Sequence, residues 1–131
     1  MDLISITQEK DSIFKAQIRE HIFFSDMSVK DGGKDEAPSP AELLVSSLGF
    51  CIGMIVHRYC QSHGFESQDI DISMTYLLND NPKMINSITA DIALPQNFPN
   101  SRKKAILNSV KTCVIYNSLN KDIDIDIEIE D

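Results

Sequence analysis

The chain has 131 residues, a length that suits one domain with its own core and no need of disulfide bonds for stability. Its net charge of -8 argues against nucleic acid as a partner, because phosphates require a basic face. The first residues lack the basic and apolar regions of a signal peptide, so we expect a cytoplasmic protein. We therefore predict a single domain over residues 1–131.

Three short strands are predicted before the first helix. We expect them at Leu3–Ile6, Ile13–Ile18 and about His21–Phe24, where apolar residues that favour strands recur. The polar residues 8–11 form a turn between the first two strands. Glycines, charges and a proline mark residues 31–38 as a loop, which leads the chain into a long helix.

The strongest local signal is this long helix, which begins at Pro40 and runs to about His63. Ser39 is a typical N-cap, proline favours the first helical position, and Glu42 completes a capping box. Residues 43–56 carry no charge, and apolar side chains occupy every side of the helix. Such a helix must be covered on all sides. Residues 43–56 are too short, and too rich in serine and glycine, to span a membrane.

Two strands with alternating apolar residues follow the long helix, at Ile70–Tyr76 and Ile88–Leu94. Residues 79–82 make the turn between them. The end of the chain, Ile123–Glu130, alternates isoleucine with acidic residues. This pattern predicts a last strand with one solvated, charged face that discourages edge pairing.

A second, amphipathic helix is capped by Asn100 or Ser101 and reaches at least Thr112. The order β-β-β-α-β-β-α-β predicts an α+β fold, with mostly antiparallel sheet packed on the long helix. One sheet and one further helix leave part of the long helix uncovered, and Gly49 and Gly53 are spaced to let backbones approach there. We predict that a second subunit covers this face in an obligate homodimer.

Three cysteines are the main candidates for chemistry. Cys51 and Cys113 lie on the two predicted helices, 62 positions apart, and their spacing does not fit a zinc site. Free cysteines among apolar residues are commonly small hydrophobic residues, so the residues alone favour packing. Cys60 is about half a turn out of phase with Cys51 and is the predicted bystander.

Other polar residues of the long helix have simpler explanations. His57, Cys60 and His63 recur every three residues and could bind a metal, but histidines are also favoured near a helix C-terminus. Glu42 could be a catalytic carboxylate, although the capping box already accounts for it and it lies half a turn from Cys51. We predict no metal, haem or flavin, and no glycine loop for a nucleotide is present.

Five segments of the chain are characteristic in combination. They are Phe23–Asp26, the Gly32–Gly33 loop with Asp35, Pro38–Leu44, Ser47–Cys51 and Cys113–Leu119. In this order they resemble the OsmC/Ohr family of osmotically induced and organic-hydroperoxide-resistance proteins, over essentially the whole chain. The resemblance implies an intertwined homodimer, in which sheets of both subunits wrap two long central helices around a site at the interface.

The resemblance also implies a two-cysteine mechanism. The helix cysteine attacks a peroxide and becomes a sulfenic acid, and the second cysteine condenses with it to a disulfide. By position, Cys51 is then the peroxidatic and Cys113 the resolving residue. The implied partners are a small hydroperoxide and a dithiol reductant such as a lipoyl group.

Two positions depart from the family's peroxidases. Those proteins carry a glutamate directly after the helix proline, where this chain has Ala41, with Glu42 one place later. They also carry an arginine in the first hairpin turn, where this chain offers Lys10. The pattern resembles the OsmC-like branch of the family. The alternative function is a non-catalytic dimer that binds a small apolar ligand between subunits, which does not require Cys51 and Cys113 to meet.

Overall fold

The computed structural model describes residues 2–130, which form two compact units. The first unit ends at Ser46 and the second starts at Ser47, so the boundary falls within the long helix. The strands are β1 (Ile4–Lys10), β2 (Ile13–Ile18), β3 (His21–Ser25), β4 (Asp71–Asp80) and β5 (Lys83–Ala93). The α-helices are α1 (Pro40–Ser62), α2 (Lys103–Val110) and α3 (Val114–Leu119), with short 3-10 helices at Val29–Asp31 and Asn100–Arg102.

The N-terminal unit contains an antiparallel sheet with the strand order β1-β2-β3. The three predicted strands are confirmed, with Ala16 paired to Ile6 on one side and to Phe23 on the other. The first strand extends to Lys10, beyond its predicted end at Ile6. It does so because main-chain pairing continues as far as the Lys10 pair with Ile13, and this pairing does not depend on apolar side chains.

A buried carboxylate organises the loop that follows β3. Asp26 is only 2% exposed, and its oxygens accept hydrogen bonds from the Ser12 hydroxyl and from the main-chain N–H groups of Met27, Lys34 and Glu36. The Ser12 hydrogen bond contributes most to lowering the pKa of Asp26 from 3.8 to about 2, and the main-chain donors act in the same direction against the effect of burial. The folded loop therefore favours the ionised carboxylate.

The start of α1 is the predicted capping box. The Ser39 N–H donates to the Glu42 carboxylate at 2.9 Å, and the Glu42 N–H donates to the Ser39 hydroxyl at 3.2 Å. The carbonyl of Pro38 accepts hydrogen bonds from the Asp26 N–H and the Ser25 hydroxyl. The end of β3 is thus tied to the residue before the helix cap.

The C-terminal unit holds the hydrophobic core. One side of α1 packs with α2 and with the inner face of the antiparallel β4–β5 hairpin, whose strands meet at Asn81–Pro82 through a cis peptide bond. The buried members of this core are Leu48, Ile52, Ile55, Val56, Tyr59, Cys60, Ile106, Val110 and Cys113. The predicted hairpin after the long helix is confirmed, and both of its strands are longer than expected.

The two helix glycines face the chain's own sheet, so the prediction that they face another subunit was wrong. A Cβ added at Gly49 would lie 3.0 Å from Cγ of Met74, and one at Gly53 would lie 3.7 Å from Cγ1 of Ile72. Both contacts are to β4. The glycines let this strand approach α1 closely, which the spacing alone could not distinguish from an approach by a second helix.

Another side of α1 carries exposed apolar residues. Phe50 and Met54 are 67% and 68% exposed. The helix, at 23 residues, is long and apolar enough to cross a membrane, whereas the shorter segment considered from sequence was not. The criterion considers only helix length and composition, and core helices of soluble proteins also meet it. In this structure α1 supplies most of the core.

The second helix differs from its prediction in three ways. The 3-10 helix at Asn100–Arg102 leads into α2, and neither helix has a side-chain cap, so capping by Asn100 or Ser101 was wrong. The helix ends at Val110 because the Thr112 hydroxyl and N–H both bond back to the carbonyl of residue 109. Cys113 therefore lies between α2 and α3 and not on a helix.

The predicted strand at Ile123–Glu130 is also wrong for the single chain. Residues 122–130 form neither helix nor strand, and the isoleucines are exposed, from 58% at Ile123 to 94% at Ile129. An alternating pattern produces a strand only where a neighbouring edge provides hydrogen-bond partners. The apolar face of this segment has no such cover here.

The Asp26 carboxylate predicts a specific pH dependence. Because its pKa is lower in the folded than in the unfolded chain, its stabilising effect is present above about pH 4 and is lost as the pH falls toward about 2. We expect Asp26→Asn to melt at a lower temperature than wild type at neutral pH, with the difference shrinking in acid. Thermal unfolding followed by circular dichroism measures this. Asp124→Asn, in the exposed tail, is the control, and a difference that stays constant with pH contradicts a stabilising role for the ionised Asp26 carboxylate.

Candidate active site

Cys51 and Cys113 form a disulfide within the C-terminal unit. They are 62 positions apart, and their Cα atoms are separated by 6.2 Å. A bridge requires a Cα separation of roughly 4.4–6.8 Å, so the backbone places the two residues at a suitable distance. The structure thus brings together the two cysteines that the resemblance had paired, while their catalytic roles stay predictions.

The two cysteines are held by different kinds of structure. Cys51 lies within α1 and is partly buried against the core, whereas Cys113 is only 1% exposed. Cys113 is the N-cap of α3, and its sulfur accepts a hydrogen bond from the Tyr116 N–H at 3.4 Å. The Cys113 N–H donates to the carbonyl of Val110, which fixes the turn between α2 and α3.

The Tyr116 donor was not foreseen from the sequence. Helix caps are recognised by serine, threonine, aspartate or asparagine, and none of these occupies the cap position of α3. The only available signal was the position of Cys113 directly before a short apolar run. A main-chain N–H that points at sulfur stabilises negative charge on it, so this contact bears on thiol chemistry.

Cys60 is the remaining free thiol and takes no part in the disulfide. It is fully buried in the core, and burial raises the pKa of its thiol, with the charge of Glu66 acting in the same direction. A buried thiol with a raised pKa is a poor nucleophile at neutral pH. Its burial agrees with the bystander role that the helix spacing suggested, and that role stays a prediction.

Glu42 serves as the second half of the capping box in the N-terminal unit. The Ser39 N–H, followed by the Ser39 hydroxyl, lowers the pKa of this exposed carboxyl group. This arrangement explains the residue without catalysis. The suggestion that Glu42 is a catalytic carboxylate that assists Cys51 stays a prediction.

His63, directly after the end of α1, is engaged in local contacts. The ring of His63 stacks on Tyr59 with centroids 4.0 Å apart, and its Nδ1 lies 2.8 Å from the Tyr59 carbonyl oxygen. Within residues 2–130, no group of three or more histidine, cysteine or acidic side chains is arranged to hold a metal.

Two depressions lie in the C-terminal unit. One, of about 520 Å³, is open and adjoins the residues on either side of Cys113; it is lined by Thr112, Val114, Asn117, Ser118, Lys121 and Ile123. The other, of about 440 Å³, lies between β5 and α2, and its lining includes Ile92, Leu94, Phe98, Lys103 and Ile106. Neither Cys51 nor Cys113 lines either depression.

The disulfide predicts a stability that depends on redox state. Because the bridge restricts the unfolded chain, we expect its reduction to lower the free energy of unfolding by about 2–4 kcal/mol. Urea denaturation at one protein concentration, with and without dithiothreitol, measures the change. Cys51→Ser should not respond to the reductant, whereas Cys60→Ala should respond as fully as wild type. Equal curves for oxidised and reduced wild type contradict the expectation.

Comparison with known proteins places the chain in a family. A family model described as OsmC-like protein matches residues 33–128. Curated protein sequences give no significant match. A protein from Psychrobacter arcticus 273-4, provisionally assigned to osmotic stress induction and the detoxification response, has a similar structure, with a TM-score of 0.84 and 22% identity over 90% of this chain and 88% of that chain.

Two further solved structures share the fold. The OsmC-like protein from Mycoplasma pneumoniae has a TM-score of 0.79 and 16% identity, covering 92% of this chain and 87% of that chain. An organic hydroperoxide resistance protein from Legionella pneumophila has a TM-score of 0.65 and 13% identity, covering 95% and 92%. At these identities the likeness establishes the fold, an α+β arrangement of antiparallel sheets and helices. Since the family model spans most of the sequence, this protein belongs to the OsmC-like family.

Proposed function

We propose that this protein is a thiol-dependent peroxidase that reduces organic hydroperoxides, with Cys51 as the attacking and Cys113 as the resolving residue. The disulfide between the two residues carries the proposal, because a two-cysteine cycle requires this approach and ligand binding does not. The name of the Legionella pneumophila structure, an organic hydroperoxide resistance protein, supports the substrate class. We propose further that it acts as a cytoplasmic homodimer.

The oxidative half of the cycle uses only the two thiols. The Cys51 thiolate attacks the terminal oxygen of the hydroperoxide, the O–O bond breaks, and the alkoxide leaves and takes up a proton to become the alcohol. Cys51 is then a sulfenic acid. The Cys113 thiolate attacks the Cys51 sulfur, hydroxide leaves and takes a proton to become water, and the disulfide forms. One hydroperoxide and two thiols thus give an alcohol, water and one disulfide.

Burial supports this division of roles. A hydroperoxide from solvent must reach the attacking sulfur, and Cys51 is partly exposed whereas Cys113 is 1% exposed. The residues around the pair favour an organic substrate. Phe50 and Met54, next to Cys51 on α1, and Val114, next to Cys113, are all more than half exposed and apolar.

A dithiol such as a lipoyl group is the proposed reductant. It supplies the two electrons needed to reopen the disulfide and becomes a cyclic disulfide itself. This cycle requires no metal, haem, flavin or nucleotide. Glu42 enters the proposal only through the family resemblance, as the carboxylate nearest the position where the family's peroxidases carry a glutamate.

The exposed apolar surfaces support the homodimer. Phe50 and Met54 on α1, and separately the isoleucines of the tail, expose large apolar side chains to solvent, and exposed apolar surface of this kind marks interaction sites. A second copy offers a complementary surface of the same kind, because a twofold interface pairs one patch with itself. Cys51 lies at the border between this surface and the core, so a subunit contact there supplies apolar walls for the site.

The dimer is tested by placing charge on α1. We expect wild type to have twice the mass of one chain by sedimentation equilibrium, and the double variant Phe50→Glu, Met54→Glu to dissociate at micromolar concentration. Leu107→Lys changes an exposed apolar residue on α2 and should leave the dimer intact. A wild type that stays a single chain at high concentration contradicts the proposal.

The peroxidase is tested by mass spectrometry. After one equivalent of cumene hydroperoxide, we expect wild type to lose two hydrogens and to show a mapped Cys51–Cys113 bridge. Cys51→Ser should stay reduced, and Cys113→Ser should hold a sulfenic acid that dimedone traps. Cys60→Ala is the matched control and should behave as wild type. Thiols that react no faster than free cysteine overturn the peroxidase.

The second candidate function is the binding of a small apolar ligand without catalysis. The depression of about 440 Å³ between β5 and α2 favours it, because it is largely apolar and does not include the cysteines. If the thiols resist hydroperoxide, this depression becomes the place to look for a ligand, and substitution of Ile92 or Phe98 there should abolish its binding.

A further inference from the structure

We infer that the disulfide has a built-in direction: the reducing thiolate attacks Cys51, and Cys113 is the sulfur that leaves. This inference concerns the reductive half of the cycle and rests on the proposed function. Exchange between a thiolate and a disulfide depends on which sulfur can be reached and on which sulfur leaves more easily. The two sulfurs differ in both respects.

The first difference is access. Cys113 is 1% exposed and belongs to the buried core, together with Ile106 and Val110 of α2. Within one chain Cys51 is only partly buried, at the edge of the apolar side of α1 where the proposed dimer supplies walls for the site. The oxidative reaction already requires an opening through which a hydroperoxide reaches Cys51. The same opening admits a thiolate, so both half-reactions use one sulfur.

The second difference is the stability of the leaving thiolate. The Tyr116 N–H donates to the Cys113 sulfur at 3.4 Å, and Cys113 holds this position because it caps α3. A hydrogen bond to the charged form favours that form, so departure of Cys113 as a thiolate is assisted. The donor belongs to the main chain of a helix and is in place before the reaction starts.

The bond changes are balanced. A thiolate RS⁻ forms a bond to the Cys51 sulfur, the Cys51–Cys113 bond breaks, and Cys113 keeps the electron pair as a thiolate. The product is a mixed disulfide between R and Cys51. A second thiolate on the same reductant attacks the sulfur of R and releases Cys51 as a thiolate, with the reductant left as a cyclic disulfide. Protons from solvent restore both thiols.

The dithiol reductant already proposed is compatible with this direction. In the mixed disulfide, Cys113 is still close to Cys51, with a Cα separation of 6.2 Å in the bridged state, and can attack Cys51 again to expel RS⁻. With a monothiol, a second reductant molecule must bind before the mixed disulfide is reduced, so reversal by Cys113 is faster. With a dithiol, the second thiol of the same molecule attacks the mixed disulfide and competes with Cys113. The geometry therefore favours a dithiol over two successive monothiols.

The test is to locate the mixed disulfide. Oxidised wild type is treated briefly with excess 2-mercaptoethanol, whose concentration shifts the equilibrium toward the mixed disulfide against reversal by the freed thiol. The sample is then quenched with acid, alkylated with N-ethylmaleimide and digested with trypsin. Cleavage after Arg58 separates Cys51 from Cys60, and cleavage after Lys111 isolates Cys113. We expect the mercaptoethanol adduct on Cys51 and the maleimide on Cys113, with roughly tenfold or greater preference. An adduct mainly on Cys113, or equal adducts on both, overturns the inference.

Two measurements keep this test independent of the peroxidase. The bridge is also formed with diamide, an oxidant that needs no peroxide chemistry, so the direction can be determined even if hydroperoxides fail to oxidise the protein. Single-cysteine variants that carry thionitrobenzoate on Cys51 or on Cys113 are then reduced with dithiothreitol. Faster release of thionitrobenzoate from Cys51 than from Cys113 supports access as the reason why the reductant attacks Cys51. Equal release rates contradict it.

Discussion

The apolar surface of α1 is the constraint on which the rest of the structure depends. Its side chains are apolar around the whole circumference, and each neighbouring element covers only part of it. The β4–β5 hairpin approaches over Gly49 and Gly53, and α2 covers another part through Ile106 and Val110. Cys51 lies where this cover ends and is only partly buried, whereas its disulfide partner Cys113 is buried in the core. One side of the Cys51 position is thus covered and the other is open in the single chain.

Local signals were sufficient to predict the beginning of α1. A cap residue, a proline and a glutamate within four positions determine it, and the structure shows the two hydrogen bonds that the pattern requires. The strands were also predicted from local alternation. Their ends were not, because β1 and the hairpin strands continue wherever the partner strand supplies main-chain hydrogen bonds.

Features set by distant parts of the chain were missed. Glycine spacing on α1 indicated a close approach but did not identify β4 as the element that approaches. The alternating tail indicated a strand, but no local pattern supplies the edge with which it would pair. Cys113 was placed on a helix because its neighbours are apolar, whereas a hydrogen bond from Thr112 ends α2 just before it. The resemblance alone, and no local pattern, paired Cys51 with Cys113.

The three cysteines show how burial separates similar side chains. Cys60 and Cys113 are both inaccessible, yet only Cys113 has a bridging partner and a main-chain donor at its sulfur. Cys51 is the one thiol of the three that solvent can reach. Cys60 is thus buried without a bridging partner, and Cys113 is buried with a main-chain N–H that stabilises negative charge on its sulfur. Cys51 is the accessible one.

The Asp26 loop has a consequence for how this sequence can vary. Lys34 and Glu36 bind the carboxylate through their main-chain N–H groups, so the identity of their side chains is irrelevant to that contact. Gly33 has no such freedom, since a Cβ there would lie 2.8 Å from the Asp26 carboxylate and closer still to the Met27 carbonyl. Relatives that keep this loop should therefore preserve the aspartate and the glycine and tolerate almost any residue except proline at positions 34 and 36.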